Sequence, residues 1–239
     1  MSNHSYTNSY SSTRIIISQE LLVLYLVQNN DIKTIIQNAS AIEQEAMHDV
    51  LVLLSDSQSE LMSELQSHNI KYQAFSTTDL TLKLKAGFEY GLNNGYKYMV
   101  EFDDDGQYDW TEIVKLYQKS TETNCDIVIG NRTKNRLFNM SKGDTKITNA
   151  LQTKANAMIE DAFCFLRLFN DSAVNVYLSE GFTSYDPASY VFLSKKANLK
   201  FGHVNVVCQT GTNSWQNARI NNPIYVTKQY TKILFGNVK

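Results

Sequence analysis

Short, uninterrupted apolar runs are the feature that most constrains how this chain of 239 residues can fold. Residues 21–27, LLVLYLV, and residues 50–54, VLVLL, contain no charged residue and do not alternate apolar with polar positions. A strand has this composition when helices cover both of its faces, as they do in a parallel sheet. We therefore predict that both runs are strands, and that the first is buried on both faces.

Segments with helical periodicity follow these runs. Residues 31–47, 57–68 and 80–95 each carry apolar residues three or four positions apart, and Asn94-Gly95 is a typical helix end. Shorter apolar pieces predict further strands over 70–75, 97–102 and 126–130. This alternation predicts an α/β fold with a mainly parallel central sheet and helices on both faces.

The later part of the chain is less regular. Apolar residues three or four apart predict a longer amphipathic helix over 151–169. Residues 190–193, 204–208 and 224–227 have the composition of short strands. Residues 1–14 are polar and aperiodic, so we expect a flexible arm there.

Composition supports one globular domain and excludes several classes of protein. A hydrophobic content of 43% allows a sizeable core, and a net charge of −2 provides no basic field for nucleic acid. The three cysteines are widely spaced, which favours a reducing compartment over a disulfide framework. No apolar run approaches the roughly 18 residues of a spanning helix. We predict a cytoplasmic protein, with at most peripheral contact at the inner face of the membrane or with a membrane partner protein.

An acidic stretch, 101–109, EFDDDGQYD, directly follows the predicted fourth strand. Its first three aspartates would lie at the carboxyl end of that strand. Asp56 would lie at the same end of the second strand and Asn29 at that of the first. The carboxyl ends of parallel strands share one edge of the sheet, where ligands collect in such folds. The sequence therefore predicts an acidic site at this edge.

Clustered carboxylates repel one another unless a cation lies between them. Mg²⁺ and Mn²⁺ prefer oxygen ligands and often share them with substrate phosphates. The chain contains neither GxxxxGK[ST] nor GxGxxG, so no glycine-rich phosphate loop is available. We predict a metal-assisted site for a phosphorylated substrate. Asp109 and Glu112, further on, have capping-box spacing and predict the start of a helix.

Residues 84–109, LKAGFEYGLNNGYKYMVEFDDDGQYD, resemble the central segment of family-two glycosyltransferases. The similarity is greatest to the group of dolichyl- and polyprenyl-phosphate sugar transferases, whose pattern includes DADGQHD. Asp103 and Asp105 match its DxD pair, and Asp104 stands where a small residue is usual. Residues 126–132, DIVIGNR, resemble the family's D-V-V-x-G-S-R, and 186–197 resemble DPTSGFRALSRKA with one residue missing.

Other parts of the chain depart from the family pattern. Residues 25–31, YLVQNND, retain only Asn29 of the family's usual IPAYNE. Residues 55–60, SDSQSE, stand where the family has DDGSTD, and they keep Asp56 and an acidic residue, Glu60. The family's late arginine is absent, and Lys228 is the nearest basic residue. These departures lie in the parts that bind the base and the pyrophosphate of the donor.

The resemblance implies a GT-A-like domain over 15–239 that acts as an inverting, nucleotide-sugar-dependent glycosyltransferase with Mg²⁺ or Mn²⁺. Its donor would be UDP- or GDP-linked and its acceptor a glycan hydroxyl or a lipid phosphate, in cell-surface polysaccharide or glycoconjugate synthesis. The metal ligands would be Asp103 and Asp105, and Asp186 would be the catalytic base. The residues that would bind the nucleotide sugar are Asn29, Asp56, Asp103, Asp104, Arg132 and Lys228.

Two alternatives from other classes stay open. The first is a catalytically altered or inactive GT-A-like domain that acts as a partner subunit. A nucleotidyltransferase on a similar sheet should carry a glycine-rich basic loop after the first strand, and 25–31 offers none. Simpler structural roles also exist for single residues: Asp56 as a helix N-cap, Asp186 in a turn with Pro187, and Arg132 as a surface residue.

Overall fold

The structure is a computed structural model of the chain. It describes residues 20–28, 31–46, 48–133, 141–157, 159–179, 189–195, 197–209 and 222–235. The predicted arm and the candidate residues Asn29 and Asp186 lie outside these ranges.

Within the described ranges, seven strands form one sheet in the order β3-β2-β1-β4-β6-β5-β7. They are β1 (Leu21–Leu26), β2 (Asp49–Ser55), β3 (Tyr72–Phe75), β4 (Tyr98–Asp103), β5 (Ile127–Asn131), β6 (Arg167–Asn170) and β7 (Phe201–Asn205). The pairs β2–β3, β1–β2, β1–β4 and β5–β7 are parallel, and β6 runs antiparallel to both β4 and β5.

Helices connect and cover these strands. They are α1 (Ile32–Gln44), α2 (Ser59–Ser67), α3 (Leu80–Asn93), α4 (Glu112–Thr123), α5 (Lys142–Ala155), α6 (Asp171–Ser179), α7 (Ser189–Lys195) and α8 (Pro223–Phe235). The bounds of α1, α2 and α3 and of the first five strands agree with the sequence prediction to within a few residues. None of the described helices is both long and apolar enough to cross a bilayer.

The first strand shows why the sheet is covered on both sides. All six residues of β1 are buried, and successive side chains of a strand point to opposite faces. Helix α3 packs closely on β1 and β2 because Gly87 faces them: a Cβ atom there would lie 2.9 Å from methyl carbons of Leu24 and Leu53. The predicted burial of the first apolar run is confirmed.

The predicted helix over 151–169 is wrong beyond its first turn. Helix α5 ends at Ala155, because Asn156 adopts a left-handed conformation with φ of 51°. The segment then supplies β6, and Arg167 of β6 donates to Glu101 of β4 over 2.6 Å inside the sheet. The buried aromatic residues at 163–169 are compatible with the period of a helix or of a strand. Antiparallel pairing with β4 and β5 makes the end of this segment a strand.

Two other predicted strands are helices. Residues 190–193 belong to α7 and 224–227 to α8, so their apolar composition had indicated the wrong structure. The strand predicted at 204–208 is shifted, because β7 covers Phe201–Asn205 and Cys208 makes only an isolated bridge with Tyr108.

The helix predicted to start near Asp109 and Glu112 is confirmed as α4, but the predicted capping box is wrong. Helix α4 has Thr111 at its N-cap, with no side-chain capping bond. Asp109 instead accepts hydrogen bonds from the backbone N–H and the hydroxyl of Thr111, over 2.9 and 2.6 Å. The buried carboxylate of Glu112 accepts from Val207 N–H, so long-range contact replaces the local cap.

Candidate active site

A cavity of about 550 Å³ lies at the edge of the sheet where the parallel strands β1, β2 and β3 end. The first residues after β1, Val27 and Gln28, form one wall. The end of β2 and the start of α2 form another, and the start of α3 closes it with Leu80 and Lys83. The cavity therefore occupies the place where ligands bind in open α/β sheets.

The acidic loop contacts one wall of this cavity through Asp104. Leu26 of β1 is level with Asp103 at the end of β4, so the two strand ends are neighbours. The backbone N–H of Gln28, which lines the cavity, donates to both carboxylate oxygens of Asp104 over 3.1 and 3.2 Å. Gly106 completes the turn of the loop with a φ of 73°, a backbone conformation that favours glycine.

Asp103 and Asp105 are buried, with exposed fractions of 6% and 8%. Burial raises the pKa of Asp103 well above its usual range, and the negative charges of Asp105 and Asp104 act in the same direction. Oδ1 of Asp105 accepts from Gln107 N–H over 2.9 Å, while its buried Oδ2 accepts no hydrogen bond from the described residues. The structure thus brings the two predicted metal ligands together in a buried setting that disfavours the negative charge of Asp103.

Arg132 is buried behind the acidic loop and not on the surface. Its guanidinium donates to both carboxylate oxygens of Asp161, over 2.7 and 2.9 Å, and to Oε1 of Gln107 over 3.2 Å. Gln107 in turn bonds to Asp105 through its backbone N–H. Arg132 therefore connects the end of β5 to the loop that carries the aspartates.

The other predicted site residues are placed differently. Asp56 is exposed and does not line the cavity, although its neighbours Ser55 and Ser57 do. It is not a helix N-cap, because that position of α2 is Gln58. Lys228 is exposed on α8, which packs mainly against α5, and it makes no salt bridge with any residue that the structure describes.

Two residues of this region were missed by the sequence analysis. Lys83 lines the cavity with an exposed fraction of 3%, and Asp161 is the buried partner of Arg132. Lys83 lies on the buried stripe of α3, four residues before Gly87, and this spacing was a usable signal. Asp161 lies in a segment that was predicted to be helical, so nothing pointed to its role.

The described ranges contain no group of three or more His, Cys, Asp or Glu side chains arranged to hold a metal ion. Asp103 and Asp105 are therefore a pair without a third such ligand among the described residues. Any further ligands of a cation there would be other atoms, such as those of substrate phosphates or water.

Comparisons with known proteins find similarity in structure and not in sequence. No protein-family model and no curated protein matches the chain. Glucosyl-3-phosphoglycerate synthase from Mycobacterium tuberculosis, in complex with Mn²⁺, UDP and phosphoglyceric acid, is similar with a TM-score of 0.63 at 11% identity, over 90% of this chain and 78% of that one. The same synthase with Mg²⁺ and UDP gives a TM-score of 0.60 at 11% identity, over 88% and 79%.

A second protein shares the architecture more distantly. It is 4-diphosphocytidyl-2C-methyl-D-erythritol synthase from Anaerococcus prevotii DSM 20548, with a TM-score of 0.50 at 11% identity, over 91% of this chain and 98% of that one. These similarities confirm the predicted fold class, an α/β fold with a mostly parallel central sheet covered by helices.

Proposed function

We propose that this chain is a metal-dependent glycosyltransferase that moves a sugar from a nucleoside-diphosphate donor to a hydroxyl or lipid-phosphate acceptor. One geometric relation carries the proposal. A cavity of about 550 Å³ lies at the carboxyl ends of parallel strands, and its wall residue Gln28 bonds to Asp104, which stands in the chain between the buried Asp103 and Asp105. Ligand pockets commonly have about 300–1,000 Å³. The similar synthase, solved with Mn²⁺, UDP and phosphoglyceric acid, supports a donor of this class.

The carboxylates of Asp103 and Asp105 fit Mg²⁺ or Mn²⁺. Both are buried, they carry the oxygen atoms that hard cations bind, and Oδ2 of Asp105 accepts no hydrogen bond from the described chain. Two protein ligands are consistent with Mg²⁺-type sites, which share the ion with substrate phosphates and water. When bound, the cation would offset the negative charge of the diphosphate as it leaves the sugar.

The residues around this pair would fix its geometry. Asp104 joins the acidic loop to the end of β1 through Gln28, so the cavity wall and the carboxylate pair keep one relative position. Arg132 acts from behind, because its bonds to Asp161 and Gln107 fix the loop from the side of β5. Arg132 is thus a positioning residue in this proposal.

The finer assignments follow from the resemblance and stay predictions. Asn29, Asp56 and Lys228 are expected to contact the nucleotide sugar. Asp186 would deprotonate an acceptor hydroxyl in an inverting reaction. A lipid-phosphate acceptor is already anionic and would need no base. Cell-surface polysaccharide or glycoconjugate synthesis is the pathway class that we propose.

Donor hydrolysis in the absence of an acceptor tests the proposed activity. The protein is incubated with UDP- and GDP-linked sugars, with Mn²⁺ or with EDTA, and the released UDP or GDP is measured by chromatography. We expect release of one of them only with the metal, and loss of this release in Asp105→Ala. Equal release in EDTA, or none with any donor, would contradict a metal-dependent transferase.

A second candidate is an inactive GT-A-like domain that serves as a partner subunit. Two observations favour it: the described residues supply only a pair of metal-ligand carboxylates, and Arg132 is directed to Asp161 and Gln107. In that case the protein would bind no nucleoside diphosphate, with or without Mn²⁺, which separates this candidate from the first.

A further inference from the structure

Lys83 is a buried cation in the wall of the cavity. It lies in the first turns of α3, on the face that packs against the sheet, and only 3% of its surface is exposed. It lines the cavity together with Gln28 and Glu60. A lysine is rarely buried to this extent unless a charged partner balances it.

Salt-bridge partners of Lys83 are absent from the described structure. Lys83 forms no salt bridge and no side-chain hydrogen bond with the residues described. Burial lowers its pKa, while the negative charge of Asp104 acts in the opposite direction. The folded protein therefore keeps a poorly compensated cation at the cavity, an arrangement that is more common at functional sites than in plain cores.

The charges around the cavity indicate what Lys83 would bind. The lining of the cavity includes Glu60, and its wall residue Gln28 bonds to Asp104, which lies in the chain between the buried Asp103 and Asp105. Lys83 is the only cationic side chain in the described lining. A diphosphate entering this acidic surrounding needs positive charge from the protein, in addition to any from a metal ion, and an ammonium group binds phosphate oxygens as a point charge.

We infer that Lys83 binds the diphosphate of the nucleotide donor and makes the cavity selective for nucleoside diphosphates over uncharged nucleosides. This inference rests on the proposed donor class. Lys83 would approach the phosphates from α3, whereas Asp103 and Asp105 would hold the cation at the end of β4. The diphosphate would thus lie between the start of α3 and the acidic loop.

The test compares Lys83→Met with Lys85→Met. Methionine keeps the apolar part of the side chain without its charge. Lys85 is a matched control because it lies on the same helix, is partly exposed and does not line the cavity. Calorimetry in the presence of Mn²⁺ first identifies which of UDP, GDP, CDP and dTDP binds the wild type most tightly. The affinity of both variants for that diphosphate is then measured in the same way. Its parent nucleoside is measured at millimolar concentration by ligand-observed NMR.

We expect Lys83→Met to weaken binding of the diphosphate about 10- to 100-fold, which is the size of a charge-assisted hydrogen bond. Binding of the nucleoside should change less than about twofold, and Lys85→Met should behave as the wild type. The melting temperature of Lys83→Met should stay equal or rise, since the variant removes a buried charge.

Three results would overturn the inference. Unchanged diphosphate binding in Lys83→Met would remove the role of Lys83 and leave the proposed function intact. An equal loss for the diphosphate and the nucleoside would show that Lys83 contacts the base or shapes the cavity. If none of the four diphosphates binds the wild type, both the inference and the proposed function fail.

Discussion

At the scale of single residues, the acidic loop contains charge that a folded protein without ligands would not favour. Asp103 and Asp105 are buried next to each other, and burial and negative neighbours raise the pKa of Asp103. Such an arrangement reduces stability and is retained where binding needs it. Stability and ligand binding should therefore respond in opposite directions when one of these charges is removed.

Asp103→Asn tests this opposition. Asparagine keeps the shape and removes the charge, so we expect the metal-free protein to melt about 2–4 °C higher, equivalent to about 1 kcal/mol in the free energy of unfolding. The increase of the melting temperature by Mn²⁺ and nucleotide should disappear in the same variant. Differential scanning calorimetry measures both. A lower melting temperature would show that Asp103 stabilises the fold by itself.

His48 should make the stability depend on pH. It is 3% exposed, neither ring nitrogen has a hydrogen-bond partner within the described structure, and burial lowers its pKa below the usual 6.5. The unfolded chain then binds a proton below about pH 6.5 that the folded chain resists, so stability is complete above this pH and falls as the pH drops below it.

Urea unfolding at pH 7.5 and pH 5.5 measures this effect. The wild type should lose more of its free energy of unfolding between these two pH values than His48→Leu, by no more than about 1.4 kcal/mol per pH unit for the one proton involved. An identical pH dependence of the two proteins would show that another group is responsible.

Single residues also show what the sequence could reveal of the site. The acidic loop was predictable because three aspartates follow an apolar run directly, and the structure brings Asp103 and Asp105 together as expected. Lys83 and Asp161 were not identified, since each acts through burial, which residue type alone does not indicate. Arg132 was recognised as a candidate, but its position behind the loop depends on Asp161.

At the scale of elements, the connection between β5 and the acidic loop passes through a buried ion pair. Arg132 and Asp161 have side-chain exposures of 3% and 0%, and the guanidinium also bonds to Gln107. Removing one partner of such a pair leaves an uncompensated buried charge.

Asp161→Asn should therefore lower the free energy of unfolding by about 3–5 kcal/mol, as measured by urea denaturation. The pair of Lys97 and Glu20 near the surface is the control: its atoms are 2.6 Å apart, but Lys97 is exposed and Glu20 is only partly buried, so Glu20→Gln should have little effect. A similarly small effect for Asp161→Asn would show that Arg132 finds another partner.

The elements differ in how well the sequence predicts them. Strands such as β1 and β2 were predictable because continuous apolar runs are buried on both faces whatever the remaining topology. Strand β6 was not, because it exists only through antiparallel pairing with β4 and β5, and its aromatic residues fit a helix equally well. The apolar residues at 224–227 of α8 likewise fit a strand as well as a helix.

At the scale of the whole molecule, the sheet determines where a ligand can bind. Four of the six strand pairs in the described part of the chain are parallel. Three of them connect β3, β2, β1 and β4 in that order, so the carboxyl ends of these four strands lie at the edge of the sheet that carries the cavity. Two different synthases share this architecture at 11% identity, and one fold can serve many reactions. The chemistry must therefore be tested at the carboxylate pair and not inferred from the fold.

The most direct test of the account is a thermal-shift measurement with UDP, GDP, CDP and dTDP, each with and without Mn²⁺. It compares the wild type with Asp105→Ala and with Asp109→Asn, an exposed residue of the same loop. A ligand that binds only the folded state raises the melting temperature with its occupancy. We predict that one nucleotide stabilises the wild type and Asp109→Asn only with Mn²⁺, and does not stabilise Asp105→Ala. No stabilisation by any nucleotide at millimolar concentration, or equal stabilisation of Asp105→Ala, would contradict a metal-dependent nucleotide site.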